Sequence, residues 1–129
     1  MNLSAVSQYK VLLVGDAIYD RYVFVTTLGK SIKEPVISVR YEREEQYRGG
    51  VWAGAAHITD LCRTVDVLHG GRVTTNTRFV DAVYNRKLFT IHEYSDKPDS
   101  LSGNIRDYDL VIVCDFGHGT LTKELIERI

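Results

Sequence analysis

The stretch Lys10–Tyr22, KVLLVGDAIYDRY, decides how the rest of the chain is read. Its apolar run, Val11-Leu12-Leu13-Val14, stops at Gly15-Asp16, and a second acid follows at Asp20. A short continuous apolar run closed by a turn signal reads as a strand buried on both faces, as in a parallel sheet. Open α/β sheets bind ligands beyond the carboxyl ends of such strands. Asp16 and Asp20 are therefore placed on a strand-end loop. Two carboxylates there can accept hydrogen bonds from sugar hydroxyls or hold a cation, and equally can be a turn Asp and a surface Asp.

A matching end lies near the other terminus. Asp109–Cys114, DLVIVC, is a second buried strand, followed by Asp115-Phe116-Gly117-His118-Gly119. If the two strands are parallel neighbours, both acid-plus-glycine ends share one rim. A helix follows from about Thr122, capped by Thr120 or Thr122, with Leu121, Leu125, Ile126 and Ile129 as its apolar stripe. Thr64–Leu68 is a third short buried strand, ended by Gly70-Gly71. Gly49-Gly50 opens a helix over 51–62, where Val51, Ala55, Ile58 and Cys62 recur at helical spacing. Gly54 within it signals tight packing, because glycine otherwise weakens a helix. Gly49-Gly50 could offer backbone amides to an anion, or could be a plain hinge.

Two segments differ in character. Residues 21–48, with RYVFVTTL and PVISVRYE, and 77–94, TRFVDAVYNRKLFTIHEY, are rich in β-branched and aromatic residues and read as antiparallel strands. A polar connection at 29–35 and a turn near 81–85 separate them. Residues 97–104 read as a loop, and 1–9 as a mobile lead-in. The whole is α/β: a mainly parallel sheet with helices, plus a separate antiparallel β element.

Composition bounds the function. The 129 residues fit one domain, 44% are hydrophobic and 26% charged, and the formal net charge is −1. That charge gives no reason to expect nucleic acid or an acidic membrane surface as a partner. The longest apolar run is too short to span a bilayer, and the start lacks a secretory pattern, so the expected compartment is cytoplasmic. Cys62 and Cys114 read as buried thiols; neither has metal-site spacing. The opening stretch does not fit GxGxxG, which argues against a Rossmann dinucleotide site. Asp115-Phe116-Gly117 is not a protein-kinase DFG, since no Gly-rich loop, VAIK lysine or HRD loop precedes it. His118 reads as a structural or solvated loop histidine. Arg78, Arg86 and Lys87 could reach a phosphate but read first as solvated charges on an exposed β face.

Four stretches in order carry a resemblance. KVLLVGDAIYDRY, EREEQYRGGVWAGAAHI, TRFVDAVYNRKLF and DLVIVCDFGHGTLT together resemble the ribokinase-like (phosphofructokinase B) carbohydrate kinases, nearest the kinase part of heptose-7-phosphate kinase/ADP-heptose synthase proteins. The resemblance implies a ribokinase-like sandwich in one domain over 1–129, with β lid segments at about 21–48 and 77–94. It implies a sugar or sugar-phosphate acceptor, with substrate-binding residues Asp16, Asp20, Gly49, Gly50 and Asp115. Asp20 would hold the sugar hydroxyl. Lids of such proteins often pair, so a homodimer or hetero-association through the lid is expected.

The departures bear on activity. The family's nucleotide half carries a GAGD-type motif, whose amides form an anion hole and whose Asp is the general base; no Gly-Asp pair follows Gly15-Asp16 in these residues. Only 70–76 join the strand near Val65–Leu68 to the second lid segment, where relatives have further α/β structure. Ala53-Gly54 stands where many relatives carry an Asn. No catalytic residue, resident cofactor or metal is therefore expected in this stretch alone. ATP and Mg2+ would act only once a nucleotide-binding half completes it. A non-catalytic dimerisation or binding module, and a decayed kinase fragment, are the other readings of the same residues.

Overall fold

A computed structural model of the protein describes residues 3–93, 101 and 103–127. The loop expected at 97–104 falls partly outside them, at 97–100 and 102, as does Ile129 of the last helix. The described residues form a 3-10 helix at Leu3–Gln8, strands β1 (Lys10–Gly15), β2 (Ala17–Lys30) and β3 (Ile37–Gly50), helix α1 (Val51–Ile58), strands β4 (Thr64–Leu68), β5 (Val73–Asp81), β6 (Arg86–Glu93) and β7 (Leu110–Cys114), and helix α2 (Lys123–Ile126). The fold is mixed α/β with two separate sheets. The chain divides into two compact units, one of 1–19, 48–74 and 94–129, the other of 20–47 and 75–93.

In the first unit the sheet order is β4-β1-β7, and both pairings are parallel. β1 is the central strand, so its apolar run is buried on both faces, with Val11, Leu12, Leu13 and Val14 at most 3% exposed. Alternation along the strand divides this run between two cores. Val11 and Leu13 pack with Val51, Trp52, Ala55 and Ile58 of α1. Leu12 and Val14 pack with Leu125 of α2 and with Leu68, Leu101, Ile105, Tyr108, Val111 and Leu121. A Cβ on Gly54 would stand 3.0 Å from Leu13 Cδ2 and 3.5 Å from Cys114 Sγ, which accounts for a glycine inside the helix.

Several expectations need correction. β4 and β7 are half exposed, not buried like β1, and Leu110 and Val113 are 41% and 45% exposed. They are the outer strands of a three-stranded sheet, and an apolar run does not encode how many neighbours a strand will have. Helix α1 stops at Ile58 instead of reaching Cys62. The Thr59 amide and hydroxyl both donate to the Ala55 carbonyl, at 3.0 and 2.8 Å, and the chain turns there. Within the lead-in, residues 3–8 form a 3-10 helix. Cys62 and Cys114 are free and half-buried; burial pushes the Cys114 thiol pKa up. Thr122, not Thr120, caps α2, its hydroxyl accepting from the Leu125 amide at 3.3 Å.

The second unit is built on a four-stranded sheet of order β3-β2-β5-β6. β2 and β3 are joined by six residues, 31–36, and the Ser31 amide donates to the Val36 carbonyl at 2.9 Å, which closes a hairpin. β5 and β6 pair antiparallel, with a bulge between Phe79 and Val80 where Phe79 stacks on Phe89 at 4.4 Å. Asp81 holds their turn: it accepts from the Val83 and Tyr84 amides at 2.9 Å and from the Thr27 hydroxyl at 2.7 Å.

Leu13→Ala leaves a cavity between β1 and α1. It is expected to cost about 2–5 kcal/mol, read from urea denaturation. A loss below about 1 kcal/mol would mean that β1 is not the centre of this core.

Candidate functional site

The rim expected beyond β1 and β7 forms, and Asp16 is its centre. The strands run in register to their ends, Gly15 opposite Cys114. A Cβ on Gly15 would fall 2.0 Å from the Cys114 carbonyl oxygen, so no side chain fits. The Asp16 amide donates to that same oxygen at 3.1 Å. The Asp16 side chain then turns inward, 1% exposed. Its Oδ2 accepts from the amides of Phe116 (2.7 Å) and His118 (3.2 Å), and its Oδ1 from the amide of Thr120 (3.2 Å). The Thr120 hydroxyl adds a further bond.

The backbone of Asp16 reaches a third segment. Its carbonyl accepts the Val51 amide, the first of α1, at 2.9 Å. Gly50, just before, has φ 61° and ψ −134°, a conformation open to glycine alone. A Cβ there would lie 2.2 Å from the Asp16 carbonyl oxygen. Strand β1, the 115–120 loop and the start of α1 are thus joined through one residue.

Burial alone would raise the Asp16 pKa. The hydrogen bonds from Thr120, Phe116 and His118 outweigh it and hold the carboxyl below its ordinary 3.8. A buried, ionised carboxylate with this many donors is a fastening more than a ligand for a small molecule. Asp115, by contrast, is exposed at the rim, its Oδ1 accepting the Gly117 amide at 2.8 Å. Phe116 beside it is 55% exposed. Gly49 and Gly50 are half-buried, and the first α1 amide is already taken by Asp16.

Asp20 belongs to the second unit, and lies within β2, not on the strand-end loop the sequence suggests. The β-branched and aromatic residues from Ile18 onward extend the strand back to Ala17. Asp20 forms an ion pair with Arg78 of β5, both partly buried. The Arg78 guanidinium also stands 5.3 Å from the centre of the Tyr22 ring. Arg78 is therefore ion-paired and partly buried, not the solvated charge its sequence context suggests. Asp20, Tyr22 and Phe24 share one face of β2 at spacing two. With Glu45 and Tyr47 of β3 and Lys87 of β6 they line a groove of about 440 Å3. Tyr22 and Tyr47 meet edge to face at 5.9 Å. The Glu45 carboxylate is engaged by Arg43 and by the Tyr47 hydroxyl, while Lys87 makes no ion pair among the described residues.

The structure thus gathers Asp16, Gly49, Gly50 and Asp115 in the first unit and carries Asp20 in the second. The alternation Asp20-Tyr22-Phe24 could have marked the groove; nothing local marks Thr120 as a partner of Asp16. Among the described residues no three His, Cys, Asp or Glu side chains converge as a metal site would require. No described helix is long and apolar enough to cross a membrane.

No protein-family model matches the chain. No curated protein matches it either. Among solved structures it is similar to a candidate ribokinase from Agrobacterium tumefaciens, at TM-score 0.45 and 19% identity over 83% of this chain and 44% of that one. It is similar to a nucleoside kinase from Methanocaldococcus jannaschii, described as an archaeal member of the ribokinase family, at TM-score 0.37 and 13% identity over 67% and 38%. A candidate sugar kinase from Clostridium perfringens matches at TM-score 0.36 and 13% identity over 67% and 35%. The chain spans less than half the length of each.

Asp16→Asn sets an amide NH2 among backbone donors. It is expected to cost about 1–3 kcal/mol at pH 7. Folding lowers the carboxyl pKa, so the ionised form contributes stability that is complete above the unfolded value of 3.8. That contribution is lost as pH falls through the lower folded value. Wild-type and variant unfolding curves should converge there and diverge toward neutrality; a gap that widens on acidification would contradict the assignment.

Proposed function

We propose that these 129 residues form the acceptor-binding and lid part of a ribokinase-like carbohydrate kinase, acting on a sugar or a sugar phosphate of heptose-phosphate type. The observation that carries this reading is the rim: two parallel neighbours end side by side in acid-plus-glycine turns, and Asp115 stands exposed on them. Ligand sites of open α/β sheets lie at such ends. The four stretches quoted above, in their order, supply the family.

In this proposal Asp20 orients the acceptor hydroxyl. The pair with Arg78 uses Oδ1, and a carboxylate has about four acceptor positions, so the group can still take a hydroxyl proton donor. Tyr22 and Tyr47 offer ring faces to the sugar. It is the family resemblance alone that assigns Asp115 to the reacting centre and Gly49-Gly50 to the substrate-side turn. Asp16 acts one step back, shaping the rim from beneath it.

The reaction would move the γ-phosphoryl of ATP to the acceptor hydroxyl, with Mg2+ assisting. Phosphoryl transfer rests on positioning and on stabilising the charge of the transferred group. The proposal assigns the nucleotide site, the metal and the general base to further polypeptide, in the same chain or a partner. These residues alone would bind without catalysing, in the cytoplasm.

A second reading has its own observation. The outer strands expose apolar side chains: Ile37 and Tyr41 on β3 are 69% and 58% exposed, Phe89 and Ile91 on β6 are 51% and 45%. Such edges seek partners, which favours pairing with a like chain or another protein through the second sheet.

Calorimetry with a panel of sugars and sugar phosphates, beside light scattering, separates the two. The kinase-part reading expects weak binding that Asp20→Asn reduces about tenfold or more. The module reading expects association that survives Asp20→Asn and fails on Tyr41→Asp. Binding of the whole panel unchanged by Asp20→Asn would overturn the first.

A further inference from the structure

The loop after β7 spends its amides on carboxylates in alternation. Phe116, His118 and Thr120 donate to Asp16, and Gly117 between them donates to Asp115. The backbone explains why. Gly117 and Gly119 have φ 76° and 85°, in the left-handed region, and alternate with residues of ordinary hand. Alternating hand turns amides toward a common point, the nest geometry that binds anions in phosphate and other sites. The DFGHG spacing, a glycine at every second position, is what permits it. The anion in this nest is the protein's own, the buried Asp16 carboxylate.

We propose that residues 116–120 form a backbone anion site that Asp16 fills as an internal ligand, and that a small free carboxylate can take its place when the side chain is removed. The loop then owes its shape to a negative charge at that point, not to the covalent link that brings it there. Asp16 is a positioning residue: it seats the loop and so fixes where Asp115 stands. That consequence for Asp115 rests on the kinase-part reading, whereas the anion site itself does not.

The site is built for this exchange. The charge is 1% exposed and is met by three amides and one hydroxyl, so the donors are pre-aimed. With the side chain cut back to a methyl group, they would be left buried and unpaired, which is costly. Formate matches the missing group in charge and in its two oxygens.

The test is chemical rescue. Asp16→Ala, Asp16→Asn and wild type are melted in sodium formate and in sodium chloride of equal ionic strength. Asp16→Ala should lose stability in chloride and regain about 3 °C or more in formate. Wild type and Asp16→Asn should respond alike to both salts, since their sites are filled. In 15N NMR spectra the amides of Phe116, His118 and Thr120 should return toward wild-type positions in formate. If Asp16→Ala is unfolded in chloride, formate should restore its circular dichroism. Equal response of Asp16→Ala to the two salts, or no return of those three amides, overturns the proposal. Sugar binding insensitive to Asp20→Asn would sink the kinase-part reading and leave this one standing.

Discussion

The first unit depends on one buried charge. Asp16 is where the central strand, the loop after its parallel neighbour and the start of the first helix meet. A carboxylate taken out of water needs several donors to remain ionised. Here the loop supplies them, and in doing so gives up its freedom to move away from β1. Gly15 and Gly50 let the backbones come close enough for the arrangement to close, since a Cβ on either would collide with a carbonyl oxygen. Charge, amide direction and missing side chains act together at the rim.

This fastening divides the acids of the rim into an inner and an outer one. The inward acid is used up; the outward one, Asp115, remains exposed beside Phe116. The second unit makes a comparable division on its own sheet. Arg78 engages one oxygen of Asp20, Arg43 and Tyr47 engage Glu45, and Lys87 remains without an ion pair among the described residues. Both units therefore keep one part of their charge for structure and present another part at a surface.

Much of this was legible in the sequence, for reasons that can be named. A run of four apolar residues closed by Gly-Asp marked β1, because a strand covered on both faces accommodates such a run. Aromatic and β-branched clusters marked the second sheet. The rest depended on contacts distant along the chain. The partners of Asp16 lie 100 to 104 residues away and that of Asp20 lies 58 away, so no local pattern could reveal them. Whether β4 and β7 were central or outer strands depended on sheet order, which side-chain pattern does not record. Thr120 and Thr122 look alike as caps; only the position of Asp16 decides that the first serves the carboxylate and the second the helix.

The most direct measurement is an NMR titration of the Asp16 carboxyl carbon, followed together with the amides of Phe116, His118 and Thr120. A fastening carboxylate should titrate below the ordinary value of 3.8, and those three amides should shift with the same midpoint. A midpoint at or above 3.8, or amides that ignore the titration, would contradict the account.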